Sequence, residues 1–209
     1  VRQAIRSLIL EGRLYTVPGK GTFVADPKIE QRLRNLTGFT EEMQNQGLTP
    51  TSRVLSQKRI PAPANCARML RIAPGAEVMC LHRLRLADGQ PVAIEKAWLS
   101  LEMFPNLLEF DFAANSLYDV LRRSYRVLLQ RAEQVVEATL ADEATAELLG
   151  VSVGAPLLAF ERITYDSNGT PIEFVQSVYR SDRFRLRVAL DVGAEAESAV
   201  QRLVLPTQA

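Results

Sequence analysis

The chain has 209 residues, of which 47% are hydrophobic and 23% are charged, and its formal net charge is +1. This is the composition of an ordinary globular protein, and it argues against both intrinsic disorder and a coiled coil. No run of 18 apolar residues occurs, so the sequence contains no candidate membrane-spanning helix, and we expect a cytoplasmic protein. Cys66 and Cys80 lack the spacing of a metal site, and we expect them to be reduced thiols.

The charge is unevenly distributed along the chain. Residues 1–34 hold seven Lys or Arg against three acids, an excess of four positive charges, so the remainder must carry about three negative ones. Binding to a phosphate backbone needs such a local positive region rather than a basic protein as a whole. A solvated charged face is the alternative, and the charge count alone leaves both open.

The first residues predict a helix followed by a β-hairpin. The helix is indicated by apolar residues at helical spacing, and a glycine follows where it would stop: Val1, Ala4, Ile5, Leu8, Ile9 and Gly12. A strand at Leu14-Tyr15, a turn at residues 18–21 and a return strand at residues 22–24 come next. This is the order of a winged helix from its recognition helix onward. Because the chain begins inside that helix and does not start with an initiator Met, we expect upstream residues to be missing.

These segments carry a family resemblance. VRQAI, LxxEGxLY and GKGTFVA resemble the end of the winged helix-turn-helix of GntR-type bacterial transcription regulators. The remaining sequence is similar to the HutC-like branch, which has a C-terminal UTRA effector domain. The resemblance implies a remnant of the DNA-binding domain at 1–25, a linker at 26–37, a UTRA domain at 38–195 and a tail at 196–209.

The segments after the hairpin predict an α+β domain. Residues 26–37 are polar and indicate a linker with room for a helical turn, and Phe39–Gln46 predicts a short helix between two glycines. Further along, Ser116–Ser124 predicts a helix with Ser116 as its N-cap. Gln134–Leu140 predicts a strand, and Asp142–Leu149 predicts a helix that ends at Gly150.

An internal repeat organises this domain. LRIAPGAEVMCLHRL (70–84) aligns with LGVSVGAPLLAFERI (149–163) at an offset of 79, and the alignment pairs Arg83 with Arg162. Asp88-Gly89 and Asn168-Gly169 follow in the two copies and predict hairpin turns in which both residues take positive φ. Two such hairpins, each preceded by a helix, imply a pseudo-symmetric antiparallel sheet with a cleft between its halves. The UTRA resemblance implies the same arrangement, a fold shared with chorismate lyase.

Arg83 and Arg85 are the strongest candidates for a binding site. They stand two residues apart on a predicted strand, so both side chains leave the same face. A guanidinium suits a phosphate or carboxylate, and two of them repel unless an anion lies between. An exposed, solvated strand face is the alternative. The resemblance implies that this Arg-x-Arg holds the phosphate of a phosphosugar effector.

Further polar residues join this candidate site. Thr40, at the start of a helix, is either a plain N-cap or part of an anion site, and the resemblance implies that its segment closes over the effector phosphate. The resemblance also assigns polar contacts with the sugar to Glu95, Ser116, Tyr118, Glu173 and Tyr179. Alternatively, Glu95 pairs with Arg83 or Arg85 across the hairpin, and the two roles are compatible.

Candidate DNA contacts lie in the winged-helix remnant. Arg2 and Gln3 belong to the helix that would enter the major groove, and Lys20 with Gly19 and Gly21 forms the predicted wing tip. Ordinary solvent-facing positions are the alternative reading of the basic residues in this helix.

The sequence offers little for catalysis. It has a single histidine, His82, which is predicted to face away from Arg83 and to be packed or at the surface, and Trp98 is expected in the core. Motifs of common hydrolases and phosphate-binding loops do not occur, and we expect no catalytic residue, no metal site and no cofactor.

We therefore expect a ligand-responsive transcription regulator, a homodimeric repressor of operator DNA. Its effector would be a small anion, either an amino-sugar 6-phosphate or a carboxylate such as urocanate. Two alternatives remain: an enzyme of the chorismate-lyase fold, and a sensor domain that no longer binds DNA. Because the first helices of the DNA-binding domain are not in this sequence, we expect the chain alone to bind DNA poorly or not at all.

Overall fold

The structure is a computed structural model that describes residues 1–10, 13–17, 19, 21–24, 28–32 and 36–189. Within these residues it contains five α-helices, ten strands and one 3-10 turn (Leu107–Glu109). In chain order the helices and strands are α1 (Arg2–Leu10), β1 (Leu14–Val17), β2 (Gly21–Val24), β3 (Ile29–Arg32), α2 (Phe39–Asn45), β4 (Pro50–Pro61), α3 (Ala64–Leu70), β5 (Glu77–Ala87), β6 (Gln90–Ser100), α4 (Leu117–Ser124), β7 (Leu129–Leu140), α5 (Glu143–Leu149), β8 (Pro156–Asp166), β9 (Pro171–Arg180) and β10 (Phe184–Arg187).

The predicted N-terminal helix and hairpin are confirmed as elements. Helix α1 is followed by strands β1 and β2, which pair antiparallel with Leu14 opposite Val24. Gly19 and Gly21 have φ of +75° and +121°, a region that favours glycine, so these residues allow the hairpin to turn. Gly12, the predicted helix stop, and Lys20 lie outside the described residues.

The predicted linker, residues 26–37, contains a strand, and its described residues, 28–32 and 36–37, form no helical turn. Strand β3 pairs in parallel with β10, with Ile29 opposite Phe184. Glu30 of β3 forms ion pairs with Arg185 at 2.8 Å and Arg187 at 3.2 Å. This pairing fixes part of the linker to the last described strand of the chain.

The central sheet has six antiparallel strands in the order β4-β5-β6-β9-β8-β7. It consists of two strand–helix–strand–strand units, β4-α3-β5-β6 and β7-α5-β8-β9, which meet where β6 pairs with β9. The repeat extends to single hydrogen bonds. The amide of Ala62 donates to the carbonyl of Ala76 at 2.8 Å, and at the same offset Ala141 donates to Ala155 at 2.9 Å. The predicted pseudo-symmetric antiparallel sheet is confirmed.

The two hairpin turns differ in detail. Asp88 and Gly89 take positive φ of 48° and 74°, as predicted for the first turn. In the second turn only Gly169 has positive φ, so the prediction is wrong for Asn168. The carboxylate of Asp166 accepts hydrogen bonds there from the amides of Asn168 at 2.9 Å and Thr170 at 2.8 Å. A side chain thus organises this longer turn, and a second left-handed residue is not needed.

The predicted N-cap of α4 and the predicted end of α5 are confirmed, and one strand is longer than predicted. Ser116 accepts from the amide of Asp119 at 3.4 Å at the start of α4. Asp142, which was not predicted as a cap, accepts from the amide of Thr145 at 2.8 Å at the start of α5. Helix α5 ends at Gly150, in the left-handed conformation. Strand β7 begins at Leu129, five residues before the predicted start, because its pairing with β8 continues that far.

Apolar residues pack on both faces of the sheet. On one face, α4 and the 3-10 turn pack on the β5–β6 hairpin around a cluster that includes Leu81, Leu99 and Phe112. On the other face, α3 covers Trp98, which is buried as predicted and stacks on Phe174 with ring centroids 5.4 Å apart. Cys66 and Cys80 are both free thiols. No helix in the described part of the chain is long and apolar enough to cross a membrane.

Replacing Asp142 by Ala should destabilise the domain by about 1 kcal/mol, because the first turn of α5 loses its side-chain acceptor. Urea unfolding followed by circular dichroism measures this. Asp142→Asn keeps a capping oxygen and is the matched control, with an expected loss below about 0.5 kcal/mol. Equal stability of the Ala variant and the parent chain would contradict the role of this cap.

Candidate functional site

A polar cavity lies on the α4 face of the sheet, across the junction of the two units. Side chains two residues apart on neighbouring strands point into it, since alternate residues of a strand share one face. The sheet contributes Arg83, Arg85, Glu95, Gln134, Phe160, Arg162, Glu173, Val175, Ser177 and Tyr179. Segments outside the sheet complete the wall with Gln31, Thr37, Gly38, Phe39, Glu42, Met43, Ser116, Leu117, Tyr118 and Phe184. The cavity is therefore bounded by both repeat units, by the linker and by α2.

Arg83 and Glu95 form a buried ion pair at one side of the cavity. They are register partners on β5 and β6, and their side chains are 3% and 12% exposed. One terminal nitrogen of Arg83 bonds the carboxylate of Glu95. The other terminal nitrogen and Nε have no hydrogen-bond partner among the described residues. The cross-hairpin pair left open by the sequence is present, and it leaves two donors of Arg83 unused.

Arg85 is equally buried and has no carboxylate of its own. Its Nη1 donates to the hydroxyl of Ser52 at 2.8 Å, and its guanidinium lies 4.3 Å from the ring centroid of Phe39. Its Nε has no partner among the described residues. Burial and the neighbouring Arg83 lower the pKa of Arg85 to about 10, so it is still charged at neutral pH. Since both arginines are only 3% exposed, a solvated strand face is excluded.

The pKa values of the two buried carboxyl groups are shifted in opposite directions. Burial alone would raise the pKa of Glu95, but Arg83 and Arg85 outweigh it and lower the value to about 2. Burial, followed by repulsion from Glu95, raises the pKa of Glu173 to about 7. Glu95 is therefore a fixed negative charge, whereas Glu173 exchanges a proton near neutral pH.

Glu173 has hydroxyl groups as its hydrogen-bond partners. Its carboxylate accepts from the phenol of Tyr118 at 3.1 Å and from the hydroxyl of Thr164 at 3.2 Å. Burial and the charge of Glu173 raise the pKa of Tyr118, which keeps the phenol protonated. This end of the cavity can accept hydrogen bonds from hydroxyl or amino groups, and it can donate one when Glu173 is protonated.

The linker and α2 close the cavity through close contacts. A Cβ at Gly38 would lie 3.1 Å from the Tyr118 ring, so any larger residue would require this ring to shift by a few tenths of an ångström. The hydroxyl of Thr37 donates to Glu42 at 2.7 Å, and the ring of Phe39 lies on Arg85. Thr37 and Phe39 thus contact Glu42 and Arg85, two side chains that line the cavity.

Arg162 lines the cavity as well, although the sequence reasoning did not select it. Its Nε donates to Gln134 at 2.7 Å, and its Nη1 donates to the carbonyl of Thr37 at 3.3 Å. The internal repeat already indicated Arg162 as a candidate, because the alignment of the two copies pairs it with Arg83.

The structure brings seven of the eight predicted site residues together around the cavity; the eighth is Thr40. That residue lies in the first turn of α2, but the cavity is lined by its neighbours instead. The N-cap of α2 is Gly38, so the capping role considered for Thr40 is wrong. Tyr179 lines the wall and packs on Phe184, with ring centroids 4.4 Å apart, and burial raises its pKa to about 12.

The remaining candidates lie away from the cavity. Arg2 and Gln3 are exposed at the start of α1, and Gly19 and Gly21 are exposed in the hairpin. His82 faces the opposite side of the sheet beside Lys96, as predicted, and burial together with that lysine lowers its pKa.

The pKa of Glu173 predicts how stability changes with pH. The native carboxyl holds its proton up to about pH 7, above the ordinary value of 4.5, so the native state binds more protons than the unfolded state between these values. The Glu173 contribution to the free energy of unfolding should therefore decrease as pH rises from 4.5 to 7. Urea unfolding across this range should show the decrease in the parent chain and its absence in Glu173→Gln. Glu137→Gln, at an exposed position on β7, is the control and should keep the parent profile; a Glu173→Gln profile equal to the parent would contradict the shift.

Comparison with known proteins identifies the family. The model of the UTRA domain matches residues 45–185. The HTH-type transcriptional repressor NagR of Bacillus subtilis is 40% identical over 184 residues, which cover 88% of this chain and 75% of that protein. The mannosyl-D-glycerate transport/metabolism system repressor MngR of Escherichia coli is 28% identical over 185 residues, covering 88% of this chain and 77% of that protein.

Solved structures agree with this result. The crystal structure of PhnF from Mycobacterium smegmatis superposes with a TM-score of 0.77 at 32% identity, covering 92% of this chain and 84% of that one. The crystal structure of the PhnF effector domain superposes with a TM-score of 0.74 at 29% identity, covering 78% of this chain and all of that one. The chain therefore belongs to the GntR family of transcription regulators that carry a UTRA effector domain.

Proposed function

We propose that this chain senses a small anionic effector, an amino-sugar 6-phosphate, and that the effector changes the operator affinity of a cytoplasmic, homodimeric repressor. The observation that carries the proposal is the pair of buried arginines on β5. Arg83 and Arg85 together have three N–H-bearing nitrogens without a partner among the described residues. Leaving buried charged donors unpaired is costly, and phosphate oxygens would satisfy them in the planar geometry that guanidinium prefers.

The part of the cavity around Glu173 suits the sugar. The carboxyl group of Glu173 and the phenol of Tyr118 line the cavity and can bond sugar hydroxyls and an amino or amide nitrogen, while the buried hydroxyl of Thr164 bonds both from behind. A ligand with a phosphate at one end and hydrogen-bond donors at the other matches this division. The name of MngR refers to a mannosyl-D-glycerate system, which supports a carbohydrate effector that bears an acidic group.

A DNA-binding regulator is favoured over an enzyme or a sensor that has lost its DNA contacts. The relatives NagR, MngR and PhnF are named repressors, and helix α1 with its hairpin has the element order of a winged helix. A winged helix usually reads half-sites as a two-fold dimer, so we infer a homodimer. An effector that binds better to one arrangement of the linker shifts operator affinity by that difference in free energy.

Isothermal titration calorimetry with glucosamine 6-phosphate, N-acetylglucosamine 6-phosphate, glucosamine and urocanate tests the effector. We expect the phosphorylated sugars to bind, and glucosamine to bind at least about tenfold more weakly, since hydrogen bonds to charged groups contribute about 1.5–3 kcal/mol. Stronger binding of urocanate than of either sugar phosphate would contradict a phosphosugar effector.

Removing both partners of the Arg83–Glu95 pair should weaken effector binding without leaving the buried carboxylate of Glu95 unpaired. Replacing Arg83 alone would leave Glu95 unpaired, so the test is the double variant Arg83→Ala/Glu95→Gln. We expect its Kd for glucosamine 6-phosphate to rise about 10- to 100-fold, as measured by calorimetry. The matched control is Arg59→Ala/Glu77→Gln, an exposed ion pair between β4 and β5. An unchanged Kd in the test variant would remove these residues from the site.

Lys20→Ala should weaken DNA binding by the regulator with its complete DNA-binding domain. A wing lysine contacts the backbone, so we expect a similar loss for operator and non-operator DNA and a shallower dependence on salt. Fluorescence anisotropy at several salt concentrations measures both, with the exposed Lys58→Ala on β4 as control. Parent affinity of Lys20→Ala at low salt would count against the wing contact.

A further inference from the structure

Arg162 occupies the position equivalent to Arg83 in the second repeat unit, but its surroundings differ. Arg83 stands opposite Glu95 and pairs with it, whereas Arg162 stands opposite Val175. Among the described residues no carboxylate forms an ion pair with Arg162. Its hydrogen bonds go to neutral oxygens, the side chain of Gln134 and the backbone carbonyl of Thr37. Within this part of the chain, Arg162 is thus a cation in the cavity wall without a direct ion pair, although its charge also interacts with the carboxyl group of Glu173 and the phenol of Tyr118.

The bond to Thr37 connects the second repeat unit with the linker. Thr37 is 9% exposed and directly precedes Gly38, which packs on the Tyr118 ring at the entrance to α2. The bond from Arg162 to the Thr37 carbonyl is 3.3 Å long, at the weak end of the hydrogen-bond range. An anionic or strongly polar ligand oxygen competes well for such a donor, because charge-assisted bonds are stronger than bonds to a neutral carbonyl.

Arg162 extends from a different strand than the arginines that would hold the phosphate. β8 is three strand positions from β5 in the sheet, which separates the backbones by about 14 Å. The three side chains nevertheless line one cavity, and the charge of Arg162 also acts on Glu95, the partner of Arg83. A ligand that spans the cavity reaches both units. The junction between the linker and α2 is also held by both units, through Phe39 of α2 on Arg85 and Thr37 of the linker on Arg162.

We propose that Arg162 is the positioning residue that couples the effector to the linker: without ligand it holds the Thr37 carbonyl, and with ligand it turns to a ligand oxygen and releases that carbonyl. This inference rests on the proposed function for the identity of the ligand. The ligand-free contact between Arg162 and Thr37 is independent of it. The signal reaches α2 and the linker through the loss of one hydrogen bond at their junction.

Hydrogen–deuterium exchange of peptides from residues 28–45 tests the proposal in the parent chain, Arg162→Gln and Arg162→Lys. The control Arg131→Gln removes an arginine on β7 that is more than half exposed and pairs with Glu133. Without ligand, Arg162→Gln should raise exchange in residues 38–45 about fivefold, while amides of α3 and α5 keep parent rates. Arg162→Lys, which retains a charged donor, should restore most of the protection. A purely structural role would instead raise exchange throughout the sheet.

The same exchange experiment is then repeated with saturating glucosamine 6-phosphate. In the parent chain the ligand should raise exchange in residues 38–45 towards the level of Arg162→Gln. That variant should still bind, with a Kd within about tenfold of the parent, and show little further change. The proposal is overturned if ligand-free Arg162→Gln exchanges like the parent, if the ligand lowers exchange in this segment, or if the variant keeps the full response. If the parent chain binds no sugar phosphate, the proposed effector is wrong, and the ligand-free comparison still decides whether Arg162 holds the linker.

Discussion

The site depends on a charge imbalance on one strand, where two arginines are buried but only one of them is paired with a carboxylate. Arg83 and Arg85 each lie 3% exposed on β5, and only Arg83 has an acid bound to it. Burial disfavours a charge unless it is paired and hydrogen-bonded, so this strand is stabilised by any anion that enters the cavity. The other polar residues can be understood from this imbalance. Glu95 stays ionised because it lies beside two guanidiniums, and the pKa of Glu173 is raised by its burial and then by the negative charge of Glu95.

The same imbalance explains why the linker belongs to the site. Phe39 offers Arg85 an aromatic face, and Thr37 offers Arg162 a carbonyl, so neutral groups of the linker and α2 act as substitutes for an anion. These contacts are weaker than a direct bond to phosphate. In the proposed mechanism a ligand and the linker compete for the same cations, and this competition would be a sufficient physical basis for a ligand-dependent switch.

Much of this arrangement could be predicted from the sequence, because the strongest signals were local. The alternation of a strand put Arg83 and Arg85 on one face, and Asp88-Gly89 fixed the hairpin that brings Glu95 opposite. Features that depend on distant partners were not predicted. Strand β3 pairs with residues about 155 positions later, and no local pattern reveals that pairing. The internal repeat singled out Arg162 as the counterpart of Arg83, but its proposed role depends on its hydrogen bond to Thr37, a residue with no sequence signal of its own.

The parallel pairing of β3 with β10 also has a consequence for hybrid regulators that exchange DNA-binding domains. Strand β3 lies in the linker by sequence, yet its ladder and the ion pairs of Glu30 join it to the effector domain. A fusion joined at Thr37 would replace β3 with a foreign segment and leave β10 without its native neighbour. A junction before Lys28, whose ammonium bonds the carbonyl of Ser181 at 2.8 Å, keeps the whole contact in one parent protein. In such hybrids, the junction that preserves this contact lies before β3, about ten residues before the start of α2.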